Sequence, residues 1–108
     1  MIVEQRTYTL YPATVAEYLR RYQEEGLEIQ RPILGTMVGY FYTEIGALNQ
    51  IVHMWAYDDL ADRDRRRTQL KSNPGWINYS ASVRQYLINQ ENKILIPAPF
   101  SPYATSAP

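Results

Sequence analysis

Stretches of β-branched and aromatic residues mark the strands of this chain. Residues 2–10, 36–44 and 49–57 have that composition, and a short connection containing Gly46 separates the second stretch from the third. Such a connection favours an antiparallel hairpin of the two central strands. Residues 92–96 predict a last strand, because the prolines that follow prevent regular pairing beyond it.

Apolar residues at helical spacing occupy the interval after the first strand. The T-x-x-E sequence from Thr14 to Glu17 has the form of a capping box, in which both side chains satisfy free backbone donors of the first helical turn. It predicts a helix that begins at this point. Because Gly26 is unfavourable within a helix, we expect the helix to bend or restart before Pro32.

The interval after the third strand contains two predicted helix starts. Asp58 and Asp59 open a polar helix that runs to about Lys71, and Asn73 precedes Pro74 at the first position of a second helix. Because its larger side chains recur at helical spacing, the second helix has one apolar stripe facing a core. This stripe comprises Trp76, Tyr79, Ser80, Val83 and Leu87.

The order strand, helix, strand, strand, helical region, strand predicts an α+β fold of the ferredoxin-like βαββαβ type, with a four-stranded antiparallel sheet. Right-handed crossovers place the helices on one face of the sheet and leave the other face bare. Both rows of side chains in the third strand are largely apolar or aromatic, so a bare face would expose an apolar patch. We therefore predict a homodimer in which a second copy covers this face and encloses a cavity between the two sheets.

Composition and charge narrow the class of protein. The 108 residues suffice for one domain, which we place at residues 1–97, followed by an extended proline-rich tail over residues 98–108. Eleven basic and eleven acidic residues give no net charge, so neither nucleic acid nor a membrane is an expected partner. The absence of cysteine excludes disulfides and thiolate chemistry. The opening residues lack the order of a secretory signal, so we expect a cytoplasmic protein.

The third strand carries the most specific candidate site. Ten tyrosines and two tryptophans against two phenylalanines suit the half-wet surfaces of cavities and interfaces. His53, Trp55 and Tyr57 alternate along the strand and therefore share one face, with Asn49 below them. If the first strand lies beside the third, Arg6 also projects from this face.

Tyr8 of the first strand would join the same face. Together these side chains supply an imidazole, a cation, phenols and an indole, which suits an aromatic or enolic organic ligand. In this hypothesis His53 and Tyr8 are catalytic, since a base beside aromatic residues could deprotonate such a ligand and let its carbanion react with oxygen. The predicted substrate-binding residues are Arg6, Asn49, Trp55 and Tyr57.

Structural roles are the alternatives. His53 could be an interface histidine that is hydrogen-bonded to a tyrosine or a backbone carbonyl, and a role as a haem ligand is a further option. No metal site is expected, because there is one histidine and capping explains the acidic residues at positions 58–64. A basic run could hold a phosphate or carboxylate, but its interleaved aspartates predict a solvated face with short-range ion pairs. This run comprises Arg63, Arg65, Arg66 and Arg67.

Three segments of the chain resemble the NIPSNAP family. The sequence GYFYTEIGALNQIVHMWAYDDLADRDRRR at residues 39–67 resembles the family's signature stretch, while EQRTYTLYP at residues 4–12 and ILIPAPFSP at residues 94–102 resemble its first strand and tail. The resemblance implies a dimeric α/β barrel in which two ferredoxin-like sheets pack face to face. It also implies a superfamily that contains cofactor-free monooxygenases, haem-degrading enzymes, small isomerases and members without a demonstrated reaction.

Two functions follow as hypotheses. The first is a homodimeric barrel that binds a small organic molecule in its cavity, with a cofactor-independent oxygenase or isomerase as the enzymatic form of this hypothesis. The second is a non-catalytic dimeric module that binds another protein and whose aromatic residues form interfaces. We expect neither a cofactor nor a metal in either case.

Overall fold

The computed structural model describes residues 1–103, so residues 104–108 of the predicted tail lie outside the described residues. The strands are β1 (Ile2–Leu10), β2 (Thr36–Tyr42), β3 (Gln50–Tyr57) and β4 (Leu87–Leu95). The helices are α1 (Val15–Arg21), α2 (Leu27–Leu34), α3 (Leu60–Ser72) and α4 (Pro74–Val83). A π-turn at Tyr22–Gly26 joins α1 to α2, and a 3₁₀ turn at Arg84–Tyr86 leads into β4.

The four strands form one antiparallel sheet in the order β2-β3-β1-β4. This is the ferredoxin-like α+β fold that the sequence predicts. In the register between β1 and β3, Arg6 lies opposite His53 and Tyr8 lies opposite Ile51. Because partners in register share a face, the predicted site residues of the two central strands do project from the same side.

That side is the one the helices cover. Tyr8 and Ile51 belong to a buried cluster with Tyr18, Tyr22 and Tyr79 of the helical layer. A second cluster under α2 and α3 contains Leu34, Trp55, Tyr57 and Leu70. The row of β3 that carries His53 is therefore the core row of a single chain, and the opposite row is the open face.

Two local predictions differ from the structure, and a third is confirmed. The Thr14 side chain does not cap α1, because its hydroxyl donates to the Tyr11 carbonyl at 2.6 Å instead. The expected restart before Pro32 is present, because α2 begins at Leu27 after the π-turn, and this helix continues through Pro32 to Leu34. Strand β4 begins at Leu87, which the helical spacing had assigned to a helix, since pairing with β1 overrides the polar sequence of this edge strand.

Candidate functional site

A cavity of about 470 Å³ lies between the sheet and the helices of one chain. Its walls come from β1, β2 and β3, from α1, α2 and the π-turn between them, and from α4, the 3₁₀ turn and the start of β4. The side chains that matter for its chemistry are Tyr8, Tyr22, Gln30, Tyr40, His53 and Tyr79. The sequence predicted a cavity between two sheets, but the described cavity lies on the helix-covered side, because the His53 row faces the helices.

His53 is the titratable group of this cavity. Its side chain is 1% exposed, and the Trp55 indole Nε1–H donates to His53 Nδ1 at 2.8 Å. Burial, together with the positive charges of Arg6 and Arg67, lowers the pKa of His53 from 6.5 to about 3. The imidazole is therefore neutral at pH 7.

The bond from Trp55 also decides the tautomer of His53. An indole nitrogen is only a donor, so Nδ1 must present its lone pair and the ring proton of the neutral imidazole must be on Nε2. His53 Nε2 is buried and has no hydrogen-bond partner among the described residues. It is a free N–H donor and cannot accept a proton, which differs from the catalytic base that the sequence suggested.

Tyr8 offers a second donor. The Arg6 guanidinium donates through Nε to the Tyr8 hydroxyl oxygen at 2.9 Å and lies 5.6 Å from the ring centroid. The hydrogen bond from the Arg6 guanidinium to the Tyr8 oxygen polarises the O–H bond of the tyrosine. The hydrogen of this hydroxyl takes part in none of the described hydrogen bonds. The edge of the Tyr8 ring meets His53 at a centroid distance of 4.9 Å, so the two donors are neighbours.

Stacked rings form a flat wall beside these donors. Tyr40 stacks on His53 at 4.7 Å and on Tyr22 at 4.5 Å, with interplanar angles of 21° and 19°. Burial raises the pKa of Tyr22 and Tyr40 above the ordinary value of 10, so both phenols keep their protons. A planar ligand beside this wall would meet ring faces and edges, which favour stacking.

Two further polar groups belong to the cavity lining. Tyr22 donates to Gln30 Oε1 at 2.6 Å, which leaves the Gln30 amide nitrogen as a donor. The Tyr79 hydroxyl is buried without a hydrogen-bond partner among the described residues, and burial raises its pKa. The described lining of the cavity therefore has free hydrogen-bond donors but no acidic side chain.

The π-turn positions part of this wall. A Cβ at Gly26 would lie 2.8 Å from a ring carbon of Tyr79 and 3.0 Å from a ring carbon of Tyr22. Only glycine allows both tyrosines to pack so closely against the backbone here. The residue that was read as unfavourable for a helix thus has a packing role at the cavity.

Four predicted site residues do not line the cavity. Trp55 orients His53 from behind, and Arg6 acts on Tyr8. Tyr57 lies in the second core cluster. Asn49 has a φ of 62°, and its backbone carbonyl accepts a hydrogen bond from the Leu10 N–H. This residue borders a separate apolar groove.

Sequence reasoning assigned no site role to the helical residues of the cavity. Trp76 and Tyr79 belong to the predicted apolar stripe of the second helix, and Tyr18 and Tyr22 lie in the predicted first helix. This pattern indicates the direction of these side chains but not what they meet. Tyr40 lies in the second stretch of β-branched and aromatic residues. Gln30 had no signal in the sequence at all, because its partner Tyr22 lies across the π-turn.

A buried ionic group lies next to the cavity. Glu4 is fully buried, and its Oε2 accepts from Arg63 at 2.8 Å, Asn92 at 2.8 Å and Arg6 at 3.1 Å. Burial would raise the pKa of Glu4, but these donors outweigh it and lower the pKa from 4.5 to about 2. Glu4 is therefore a carboxylate at all physiological pH values.

The basic run on α3 divides between two environments. Arg65 and Arg66 pair with Asp62, at 3.5 and 2.9 Å, as the prediction of short-range ion pairs requires. For Arg63 that prediction was wrong in part, because this residue also reaches across to Glu4 on the sheet. Arg67 is half-buried and forms no ion pair among the described residues.

The helical layer, the open sheet face and the tyrosine-lined cavity define an α+β protein with a ferredoxin-like fold and an internal aromatic site. The model of the NIPSNAP family matches residues 3–102. The chain therefore belongs to the NIPSNAP family, as the resemblance of its three segments indicated.

Relatives support this membership. The chain is 35% identical over 94 residues to a NipSnap homologue of Dictyostelium discoideum, which covers 87% of this chain and 41% of that protein. It thus spans about two fifths of the length of that relative. An uncharacterised NIPSNAP-like domain protein from Burkholderia xenovorans has 49% identity and a TM-score of 0.92, covering 94% of this chain and 88% of the other.

A more distant solved structure shares the fold alone. An antibiotic biosynthesis monooxygenase is 11% identical with a TM-score of 0.63, covering 92% of this chain and all of that one. Within residues 1–103, no helix is both long and apolar enough to cross a membrane. The same residues contain no group of His, Cys, Asp or Glu side chains that could hold a metal ion.

Proposed function

We propose that this NIPSNAP protein binds a small planar organic molecule in its cavity through an oxygen atom that carries negative charge or develops it. The observation that carries the proposal is the pair of neighbouring free donors, His53 Nε2–H and the Tyr8 hydroxyl, beside a stack of aromatic rings. Two donors directed at one oxygen are the arrangement that stabilises oxyanions and enolates.

The size of the cavity agrees with such a ligand. About 470 Å³ lies within the range of about 300–1,000 Å³ that is usual for small-molecule sites, and suits a molecule with one or two rings. Contacts with the edges of the stacked rings and with Tyr8 would orient the plane of the ligand. Arg6 would strengthen the Tyr8 donor from outside the cavity.

The proposed chemistry is stabilisation of an anion rather than abstraction of a proton. His53 carries its proton on the free nitrogen and has a low pKa, so it is a poor base. Enzymatic turnover would therefore require a substrate acidic enough to be bound as its enolate or phenolate. In a cofactor-independent oxygenase or isomerase, the donors would hold that anion while it reacts.

We further propose that a second copy covers the open face of the sheet and that the protein is a homodimer. Phe41 on this face is 53% exposed, and Val52 and Met54 beside it are half-buried. An apolar row of this kind on a sheet is usually covered by a partner. The cavity lies on the other side of the sheet, so the two proposals are independent.

4-Nitrophenol is a suitable probe for the cavity, because its colour reports whether it is bound as the phenol or as the phenolate. We expect saturable binding and a lowered apparent pKa of the bound probe, since two donors favour the phenolate. His53→Phe and Tyr8→Phe should each weaken binding of the phenolate about tenfold, the loss of one hydrogen bond to a charged group. Absorbance titrations at several pH values measure both quantities.

Tyr11→Phe is the matched control, because Tyr11 lies just beyond β1 and is 52% exposed. It should bind the probe as the unmodified protein does. Equal affinity in Tyr8→Phe, His53→Phe and Tyr11→Phe would contradict the proposal, as would a bound probe that remains the neutral phenol at pH 7.

A further inference from the structure

Three arginines surround one buried carboxylate where α3 crosses the sheet. We call Arg6, Arg63, Arg67 and Glu4 the arginine cluster. Arg6 and Arg63 bind Glu4 Oε2 at 3.1 and 2.8 Å. Arg67 is close enough for its charge to lower the pKa of Glu4, but it forms no ion pair among the described residues.

The cluster has an excess of positive charge. Within the cluster, three guanidinium groups against one fully buried carboxylate leave two positive charges. Arg63 also pairs with Asp64 at 3.0 Å, but this carboxylate is 67% exposed, so solvent screens its charge. Burial and the neighbouring charge of Arg6 lower the pKa of Arg67, which reflects the cost of this excess. Partly buried charges without a counter-ion are rare in proteins, because their desolvation is not compensated.

The same place has several unused hydrogen-bond donors. Arg63 Nε and Arg67 Nη1 are buried donors without a hydrogen-bond partner among the described residues. The Tyr57 hydroxyl lies beside the Arg67 guanidinium, and Glu4 Oε1 is a buried acceptor that is also unused. Tyr57 is two residues along β3 from Trp55, which is the partner of Glu4 in the register of the sheet. Buried donors are almost always paired, and this group has more unused donors than unused acceptors.

We propose that the arginine cluster binds a doubly charged oxyanion, such as a phosphate group, through Arg6, Arg63 and Arg67. A phosphate carries about 1.5 to 2 negative charges at pH 7 and would neutralise the excess, whereas a single carboxylate would leave one positive charge. Planar guanidinium groups match the oxygens of a phosphate in pairs. The side chains of Arg6 and Arg63 are 15% and 23% exposed, so an anion can reach the cluster from solvent.

The proposal does not depend on the cavity. Neither Tyr57 nor any residue of the arginine cluster lines the cavity. Arg6 contacts both places through its bond to Tyr8, but the free donors of the cluster belong to α3 and to the far end of β3. Failure of one proposal therefore leaves the other standing.

Titration with inorganic phosphate at constant ionic strength tests the proposal by calorimetry and thermal unfolding. We expect saturable binding of phosphate and of sulfate, each of which raises the Tm, and no saturable binding of acetate. Phenyl phosphate tests a phosphate group that is attached to an organic molecule, and binding of either form supports the proposal. Arg67→Met should weaken phosphate binding at least tenfold.

Arg65→Met is the matched control, because Arg65 is on the same helix, is 70% exposed and pairs only with Asp62. It should bind phosphate as the unmodified protein does. Without phosphate, Arg67→Met should keep or raise the Tm, since it removes a cation that forms no ion pair among the described residues. A lowered Tm or a failure to fold would show that Arg67 is a structural counter-ion of Glu4 and would overturn the proposal. Equal phosphate affinity in the two variants would overturn it as well.

Discussion

His53 illustrates how one hydrogen bond sets the chemistry of a residue. The strand pattern identified it as the one titratable group of the predicted face, but it did not predict which nitrogen would be free. The bond from Trp55, two residues along the same strand, fixes the proton on Nε2. The three alternating residues His53, Trp55 and Tyr57 therefore have three different positions. His53 lines the cavity, Trp55 orients His53, and Tyr57 belongs to the core.

The stability of the protein should depend on His53 below neutral pH. The folded pKa of about 3 lies below the unfolded value of 6.5, so unfolding takes up a proton between these values and stability falls as the pH decreases. Between pH 6.5 and 4.5 the loss from His53 should be about 2 kcal/mol, while Glu4, whose unfolded pKa is 4.5, adds less than about 1 kcal/mol over this range. Denaturant unfolding at a series of pH values measures this slope.

His53→Phe should remove that part of the pH dependence, while the Glu4 contribution remains. Because the folded pKa of Glu4 is also lowered, its contribution is present above about 4.5 and is lost as the pH falls toward 2. An unchanged slope between pH 6.5 and 4.5 in His53→Phe would mean that His53 does not have the low pKa assigned to it.

At the scale of elements, local sequence predicted the strands better than their ends. The alternation in residues 2–10 and 49–57 sufficed to place Arg6, Tyr8 and His53 on one face, because a period of two leaves no other choice. The start of β4 could not be predicted in this way, since its polar sequence becomes a strand through pairing with β1. Gln30 and Tyr22 meet through a π-turn that no periodicity signals.

The caps of two helices provide a test at this scale. The Asn73 side chain accepts from the Trp76 backbone N–H at 3.0 Å, whereas the Thr14 side chain makes no such bond to α1. Asn73→Ala should therefore lower the free energy of unfolding by about 1 kcal/mol. Thr14→Ala should cost clearly less, because its bond to the Tyr11 carbonyl is exposed. Urea unfolding of both variants measures the difference, and equal losses would contradict the assignment of the caps.

For the whole molecule, the two faces of the sheet have different roles. The sequence predicted that neither face is plainly solvated, and the burial of His53, Trp55 and Tyr57 agrees with this. It could not predict that the cavity would lie under the helices. The position of the cavity depends on how tyrosines of α1, α4 and the π-turn pack against the sheet. These contacts join residues that are far apart in the chain.

The proposed dimer is tested at the open face. Val52→Asp places a charge in the middle of this face, opposite Thr7 of β1, and should convert a dimer of twice 12.6 kDa into a monomer. Ile77→Asp, on an exposed position of α4, is the control and should remain dimeric. Light scattering after size-exclusion chromatography measures the mass. A monomeric unmodified protein at micromolar concentration would refute the dimer.

The central claim is that His53 Nε2–H is a free donor for an anionic oxygen in the cavity. Nitrogen NMR of the His53 ring, with and without saturating 4-nitrophenol, tests it most directly. At pH 7 we expect a protonated Nε2 and an unprotonated Nδ1, with the Nε2–H proton moving downfield when the probe binds. A proton on Nδ1, or an Nε2–H resonance that saturation with the probe leaves unchanged, would contradict the account.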